Sequence, residues 1–421
     1  MNHKLETLSD WLSYLEQLHP KTIALGLERV ALVKDSLGLT PASPVIAVAG
    51  TNGKGSTCAM LEAILSDAGY RVGCYTSPHL LRYNERVRVN REQATDADLC
   101  LAFAAVEQGR GDTALTYFEF GTLAAVWHFV QARVDVMILE VGLGGRLDAV
   151  NVFDADCAII TSIDLDHMDY LGDTREAIGF EKAGIARRNK PVICAEPEMP
   201  ASISDYAAKT GALLYQIGRD FSYGRIAGQW HFEGPRGNRH ALPFPALRGA
   251  FQLGNAAACL AALDELKDRL PVTVNNIRNG LLDTRLAGRF QVLPGRPAVI
   301  LDVAHNPHAA IALAGNLINM PCSGKTIAVF AMLADKDIAG VVNALKHQVD
   351  TWLLADIKEK RGATAQDLRR ILVAEGVGQH AELFDNVAAA YQRACILASE
   401  NDRIVVFGSF YTVADTLREV H

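Results

Sequence analysis

The stretch Val45-Ile-Ala-Val-Ala-Gly-Thr-Asn-Gly-Lys-Gly-Ser56 narrows what this chain can become more than any other. Val45 to Ala49 is an apolar run with the length of a buried strand. Gly50-Thr-Asn-Gly-Lys-Gly55 follows at once, and Ser56 to Ala68 predicts a helix with Leu61, Ile64 and Leu65 on one face. Strand, glycine-rich turn and helix are the layout of a phosphate-binding loop. Glycines let backbone N–H groups converge on phosphate oxygens, the helix N-terminus adds partial positive charge, and Lys54 adds a full one. The usual loop has a Gly four residues before Gly-Lys and Ser or Thr directly after Lys. Here the loop is shorter and Gly55 separates Lys54 from Ser56, so a plain glycine-rich turn is the competing reading.

The 421 residues allow two or three domains, and 49% hydrophobic against 21% charged residues suits well-buried cores rather than disorder. The net charge of −7, from 41 basic and 48 acidic residues, argues against a nucleic-acid binder. The start, Met1-Asn-His-Lys-Leu-Glu6, lacks the apolar core of a signal peptide, and no apolar run approaches a membrane span. The eight cysteines are scattered without a C-x-x-C pair, which fits a reducing cytoplasm better than a zinc site or disulfide framework.

Two helical pieces are expected over residues 4–37, broken near His19-Pro20, with Trp11, Leu12, Leu15 and Leu18 as a core stripe. After a strand near Arg71–Tyr75 comes Thr76 to Val89, dense in hydroxyls, with a His and three Arg. It reads as either a solvated loop or a mobile one that touches substrate or metal. Helices are expected over 95–108 and 118–132. A buried strand, Val134–Leu139, ends in Glu140, a position that often serves Mg²⁺ beside a phosphate loop. Val141-Gly-Leu-Gly-Gly-Arg-Leu-Asp-Ala149 resembles a dinucleotide fingerprint, but Leu147 stands where its third glycine belongs. A strand over Ala158–Thr161 leads to Ser162-Ile-Asp-Leu-Asp-His-Met-Asp169, whose acids and His could hold a cation. Lys182 sits at a helix end, where lysines are ordinarily exposed.

Another strand is expected over Val192–Ala195 and a small antiparallel insert over 217–247. Helices follow over Phe251–Leu270, with Asn255 as a polar exception, and around 271–290, and then a hinge over 286–295. A second α/β unit begins near residue 296. Its strands are expected at Val299–Asp302, Thr326–Phe330, Trp352–Ala355 and Arg403–Phe407, with helices between them and over Val413–Val420. Polar loops at strand ends, Asp302-Val-Ala-His-Asn-Pro307 and Gly408-Ser-Phe410, are candidate site segments. The fold expected is two α/β domains: residues 1–287 with the phosphate loop, and residues 288–421 with a mostly parallel, Rossmann-like sheet.

Gly50–Ser56, the Glu140 strand end, Asp302-x-Ala-His-Asn-Pro307 and the domain order resemble the Mur ligase superfamily. Ser77-Pro-His-Leu80, Tyr117-Phe-Glu119, Glu140 to Asp148, Asp166-His167 and Glu181-Lys-Ala-Gly184 resemble its dihydrofolate synthase/folylpolyglutamate synthase branch over nearly the whole chain. The resemblance implies ATP-dependent ligation of L-glutamate to 7,8-dihydropteroate, and to tetrahydrofolate and its polyglutamates, through an acyl phosphate. It implies ATP contacts at Gly50, Thr51, Asn52, Gly53, Lys54, Gly55, Ser56, Asn255, Arg289 and Asp302, the last two from the second domain with closure around the hinge. It implies two Mg²⁺ ions served by Ser77, Glu140, His167 and a carbamylated Lys182, although a histidine is an unusual ligand for that hard cation. Dihydropteroate falls to Gln17, Leu18, His19 and Pro20, to Thr116, Tyr117, Phe118 and Glu119, and to Leu147, Asp148 and Ala149. Pro20 departs from the small polar residue expected there. His305, Asn306 and Ser409 fall on the glutamate side, and Lys54, Lys182, His167 and His305 on the catalytic set. The resemblance suggests a monomer.

Two rivals stand beside this reading. A peptidoglycan Mur ligase runs the same chemistry but carries a sizeable nucleotide-sugar domain before its phosphate loop, where this chain has 49 residues before Gly50. A nucleotide switch would need neither the His305-Asn-Pro307 loop nor a second domain.

Overall fold

A computed structural model describes residues 5–19, 21, 23–226, 228–249 and 251–420. By internal contacts the chain divides into Met1–Ala246 with Leu253–Thr284, and Leu247–Gln252 with Arg285–His421.

The first unit opens with helices α1 (Leu8–Leu18) and α2 (Glu28–Ser36), then β1 (Val45–Ala49), α3 (Lys54–Asp67), β2 (Val72–Tyr75), β3 (Val87–Val89) and β4 (Glu92–Gln93). It continues through α4 (Asp96–Arg110), α5 (Tyr117–Gln131), β5 (Val136–Glu140), β6 (Cys157–Ile160), α6 (Met168–Leu171), α7 (Arg175–Ala183), β7 (Pro191–Cys194), α8 (Ala201–Thr210) and β8 (Leu213–Gln216). Then come β9 (Ser222–Ile226), β10 (Gln229–Glu233), β11 (Arg239–Leu242), α9 (Gln252–Glu265) and α10 (Val274–Asp283).

The eight-stranded sheet runs β4-β3-β2-β5-β1-β6-β7-β8. From β2 to β8 every pairing is parallel, and β3 and β4 close one edge antiparallel. β1, β2, β5, β6 and β7 are buried along their whole length, as strands covered by helices on both faces must be. Threonine caps start several helices. Thr7, Thr95, Thr116 and Thr273 each accept from the N3 backbone while the N3 side chain, Asp10, Asp98, Glu119 or Asn276, returns the bond. Strands β9, β10 and β11 form the separate antiparallel sheet expected over 217–247. Helix α8 and strand β8 lay outside the sequence expectations.

Two expectations are corrected here. α3 is not one-faced: Ser56 to Leu65 are all buried, because the helix sits under α10 and against the sheet. The Thr76–Val89 stretch is not a plain loop. Tyr83–Arg86 forms a 3-10 turn with Tyr83 and Asn84 buried, and β3 pairs with β2.

Burying α3 all round takes Glu62 with it. Its carboxylate meets the Arg88 guanidinium, with Arg88 Nη2 at 2.8 Å and Nε at 3.0 Å from Oε2. Glu62→Ala strands the Arg88 cation, so an unfolding free-energy loss of about 3 kcal/mol is expected, the scale for breaking a buried pair. Denaturant titration checks it, and a loss near zero contradicts it.

The second unit holds β12 (Gln291–Leu293), β13 (Ala298–Asp302), α11 (Pro307–Asn319), β14 (Thr326–Phe330), α12 (Ile338–Leu345) and β15 (Thr351–Ala355). It ends with α13 (Ala365–Ala374), β16 (Glu382–Phe384), α14 (Val387–Leu397), β17 (Arg403–Phe407) and α15 (Phe410–Val420). Its six strands run β12-β13-β17-β14-β15-β16, parallel except for β12. Part of the expected hinge is therefore sheet: Gln291, Val292 and Leu293 pair with Leu301, Ile300 and Val299. Among the described residues no helix is long and apolar enough to cross a membrane.

Candidate active site

The loop after β1 is tied to the end of β6. Thr51 donates its N–H to Ser162 O at 2.7 Å, Asn52 N–H reaches Ser162 Oγ at 3.0 Å, and Thr161 Oγ1 donates to Asn52 O at 2.6 Å. Gly50 and Gly53 have φ of +151° and +87°, a region L side chains rarely adopt. A Cβ at Gly53 would also stand 2.8 Å from Asn255 Oδ1, so the polar residue near the start of α9 lies against the loop. α3 then begins at Lys54, and its first-turn N–H groups have no partner within the helix. The Lys54 ammonium bonds Gly50 O at 2.9 Å and Thr51 O at 3.2 Å. Such a loop offers backbone dipoles and a cation to an anionic group.

Strand register brings acids to this edge. Val48 of β1 pairs with Glu140 of β5, so the buried Glu140 stands beside the loop's start. Ser77, just past β2, donates its N–H to Glu140 Oε2 at 3.0 Å. Lys182 is buried at the end of α7, contrary to the ordinary exposed lysine. Burial, with the Lys54 ammonium nearby, pulls its amine down to about 7, against the opposing pull of Asp166 and Asp148. Asp148 is buried too and rises to about 7, because burial outweighs the N–H groups of Leu143, Val150 and Gly142.

Among the described residues no group of three or more His, Cys, Asp or Glu could hold a metal ion. Asp164 Oδ1 accepts from Leu165 N and Asp166 Oδ1 from His167 N, so each carboxylate turns to its own loop backbone. His167 takes φ +53° at the start of α6, with Nε2 3.9 Å from Asp166 Oδ1.

Gln17 and Leu18 end α1, and His19 Nδ1 accepts from Lys21 N–H at 3.0 Å. Pro20 lies outside the described residues. Thr116, Tyr117, Phe118 and Glu119 open α5, where Thr116 and Glu119 form the reciprocal cap. The buried Glu119 also holds Arg29 at 2.8 Å, and Gly26 N–H reaches Leu147 O at 3.4 Å. The structure thus gathers residues 24–29, 116–119 and 147–149. Asp148 starts the turn Ala149–Val152 by accepting from Val150 N, and a Cβ at Gly142 would stand 2.6 Å from the Phe118 ring. Arg29 went unnoticed in the sequence, where no local signal marks it.

In the second unit, β13 and β17 pair with Asp302 opposite Phe407, so both polar loops leave the same sheet edge. Asp302 accepts from Phe290 N and Ala304 N, each at 2.8 Å, and burial raises its pKa against the pull of Arg289. The Arg289 guanidinium lies 5.1 Å from the Phe410 ring centre, and the His305 ring 6.2 Å from the same ring. Asn306 caps α11 through Ala309 N, and the buried Ser409 hydroxyl meets Thr412 Oγ1 at 2.7 Å.

Comparison with known proteins decides the family. The Mur ligase middle domain matches residues 48–263 and the Mur ligase glutamate ligase domain residues 288–410. An Escherichia coli (strain K12) protein named dihydrofolate synthase/folylpolyglutamate synthase is 51% identical over 98% of this chain and 95% of its own. The chain belongs to the dihydrofolate synthase/folylpolyglutamate synthase family of Mur ligases. Solved structures of that family superpose closely. The E. coli FolC complex with DHPP and ADP has 50% identity and a TM-score of 0.94, covering 99% of this chain and 98% of that one. A bifunctional folylpolyglutamate synthase/dihydrofolate synthase with Mn, AMPPNP and L-glutamate bound has 48% identity and a TM-score of 0.92, over 99% and 98%.

Proposed function

We propose that this chain is an ATP-dependent amide ligase that joins L-glutamate to 7,8-dihydropteroate, and to tetrahydrofolate and its polyglutamates. The carrying observation is the full-length match to relatives named for both activities, in a chain whose glycine loop sets Lys54 close to the buried Lys182. The acceptor carboxylate attacks the γ-phosphorus of ATP and ADP leaves. The glutamate amine then adds to the acyl phosphate, and phosphate departs from the tetrahedral intermediate.

Gly50 to Ser56 and Asn255 bind the ATP phosphates in this reading, with Arg289 and Asp302 as further ATP contacts. His305, Asn306 and Ser409 serve the glutamate side. Gln17 to His19, Thr116 to Glu119 and Leu147 to Ala149 hold the pterin.

The donor set suits Mg²⁺. Ser77, whose N–H bonds Glu140 Oε2, and the buried Glu140 each carry a hard side-chain oxygen, and Mg²⁺ is bound through one or two carboxylates plus phosphate oxygens rather than an all-protein cage. His167 and a carbamylated Lys182 complete the set, and the ion supplies neutralisation of phosphate charge. The half-buried loop lysine and Lys182 then fall into separate roles, one cationic and one carrying the carbamate. A monomer in the cytoplasm completes the proposal.

The test is ADP release with ATP, Mg²⁺ and L-glutamate, with and without each acceptor. Release with both acceptors establishes the two activities, and silence with both from folded protein overturns them.

Carbamylation predicts a CO₂ dependence. The neutral amine adds to CO₂ and releases a proton, giving an anionic carbamate. With a folded pKa of about 7 against an unfolded 10.5, the folded chain holds fewer protons across that window. The cost of burying the Lys182 ammonium is thus full below pH 7 and fades as pH rises to 10.5. CO₂-free buffer at pH 6.5 is expected to weaken apparent Mg²⁺ affinity by at least about tenfold, the scale of lost metal-site partners. Bicarbonate should restore it. Indifference to CO₂ from pH 6 to 8 contradicts carbamylation.

A further inference from the structure

Three arginines lie between β2 and the end of β3, and two have anionic partners. Arg82 Nη2 stands 3.0 Å from Asp96 Oδ1, and Arg88 Nη2 stands 2.8 Å from Glu62 Oε2. Arg86 has no carboxylate within ion-pair distance among the described residues. Glu85, its neighbour in sequence, turns back to its own turn. Its carboxylate accepts from the N–H groups of Leu80, Leu81 and Arg82 at 2.7, 2.7 and 2.8 Å.

Arg86 is nonetheless half-buried and firmly held. Its Nε–H donates to His79 Nδ1 at 2.8 Å, and its guanidinium carbon lies 5.3 Å from the Tyr83 ring centre and 5.5 Å from that of Tyr117. Two aromatic faces position a cation and partly offset its desolvation, but they neutralise no charge. The Nη1 and Nη2 edge, which matches a carboxylate with two parallel N–H groups, has no acceptor among the described residues.

The placement says which anion this edge meets. Tyr117, under the guanidinium, belongs to the segment assigned to the pterin. Arg86 O accepts from Thr76 N–H at 2.9 Å, and the next residue, Ser77, donates to Glu140. Arg86 thus reaches the pterin segment through its side chain, and its backbone holds the strand end that leads into the proposed metal ligand Ser77, the stretch an acceptor must cross for its carboxylate end to reach the phosphoryl group. We propose that Arg86 binds a carboxylate of the acceptor substrate. The inference rests on the ligase reading above. The carboxylate is either the reacting group itself or that of a glutamate already attached.

The test compares wild type, Arg86→Gln and Arg86→Lys for kcat and for KM toward dihydropteroate, tetrahydrofolate and ATP. Fluorescence titration adds the affinity for a dihydropteroate analogue lacking its carboxylate. Arg86→Gln is expected to raise acceptor KM by about tenfold or more, the scale of one lost charge-assisted bond. ATP KM and the affinity for the decarboxylated analogue should stay at wild-type values, and Arg86→Lys should fall between. Loss with both acceptors assigns the reacting carboxylate, and loss with tetrahydrofolate alone assigns the attached glutamate. Unchanged acceptor KM, or analogue affinity falling in parallel, overturns the proposal. Should Arg86→Gln melt early, Arg86→Lys keeps the cation on its rings and carries the comparison. A wild type silent with both acceptors sinks the ligase reading, whereas an active wild type matched by both variants sinks only the Arg86 assignment.

Discussion

Lys54→Met is expected to lower kcat/KM for ATP by about a thousandfold, with thermal stability near that of wild type. Lys54 is the first residue of α3, and its ammonium rests on Gly50 O and Thr51 O, within the loop proposed to hold the phosphates. A preorganised cation acts most strongly where negative charge moves during phosphoryl transfer, and water cannot replace it in a partly buried loop. The methylene stem survives in methionine, so packing loses little. A second consequence is internal. The Lys54 charge is one of the causes that hold the Lys182 amine low, so the variant should carry a more basic Lys182. ADP release measures the first effect and the pH dependence of CO₂ rescue the second. Turnover within tenfold of wild type contradicts the role given to Lys54.

Gly50→Ala is expected to destabilise the first unit by roughly 3–5 kcal/mol, as backbone strain and overpacking combine, and to abolish turnover. Gly50 has φ +151°, and a Cβ there would stand 1.8 Å from Thr161 Oγ1 and 3.1 Å from Thr161 N. Thr161 has no room to yield, since its hydroxyl already bonds Asn52 O at 2.6 Å and its N–H bonds Ala49 O at 2.9 Å. Either the strand end moves or the loop opens, and both displace the N–H groups at the start of α3. Urea titration checks the stability loss. A Gly50→Ala protein that is as stable and active as wild type would mean the loop tolerates a side chain, against the geometry described.

Several parts of this molecule could be read without coordinates. β1, β14 and β17 match the expected strands residue for residue, because each centres on a short apolar run rich in Val and Ile. Helix starts at Asp96 and Tyr117 were placed within one residue, where Thr-x-x-Asp and Thr-x-x-Glu write the cap into the chain. β12 was hidden inside an expected hinge, because a three-residue edge strand leaves almost no periodicity and exists through its partner β13. In segment 162–169 the sequence shows a run of acids, and only the structure shows that Asp164 Oδ1 and Asp166 Oδ1 accept from the backbone N–H groups of Leu165 and His167.

By itself the sequence determined the strand–glycine loop–helix at its centre, the alternation of elements and the motifs that mark the family. These depend on neighbours a few residues apart, where backbone geometry and side-chain period act directly. Only the tertiary structure decided the state of the charged groups. Lys182 becomes a weak base because burial strips its water and Lys54 stands near, Glu62 is tolerable in a core because Arg88 arrives from 26 residues away, and Arg86 lacks, among the described residues, the counter-charge that its two neighbours possess. Charge energies are set by solvent exclusion and by whichever residues the fold brings within a few ångströms, and neither quantity is written in local order along the chain.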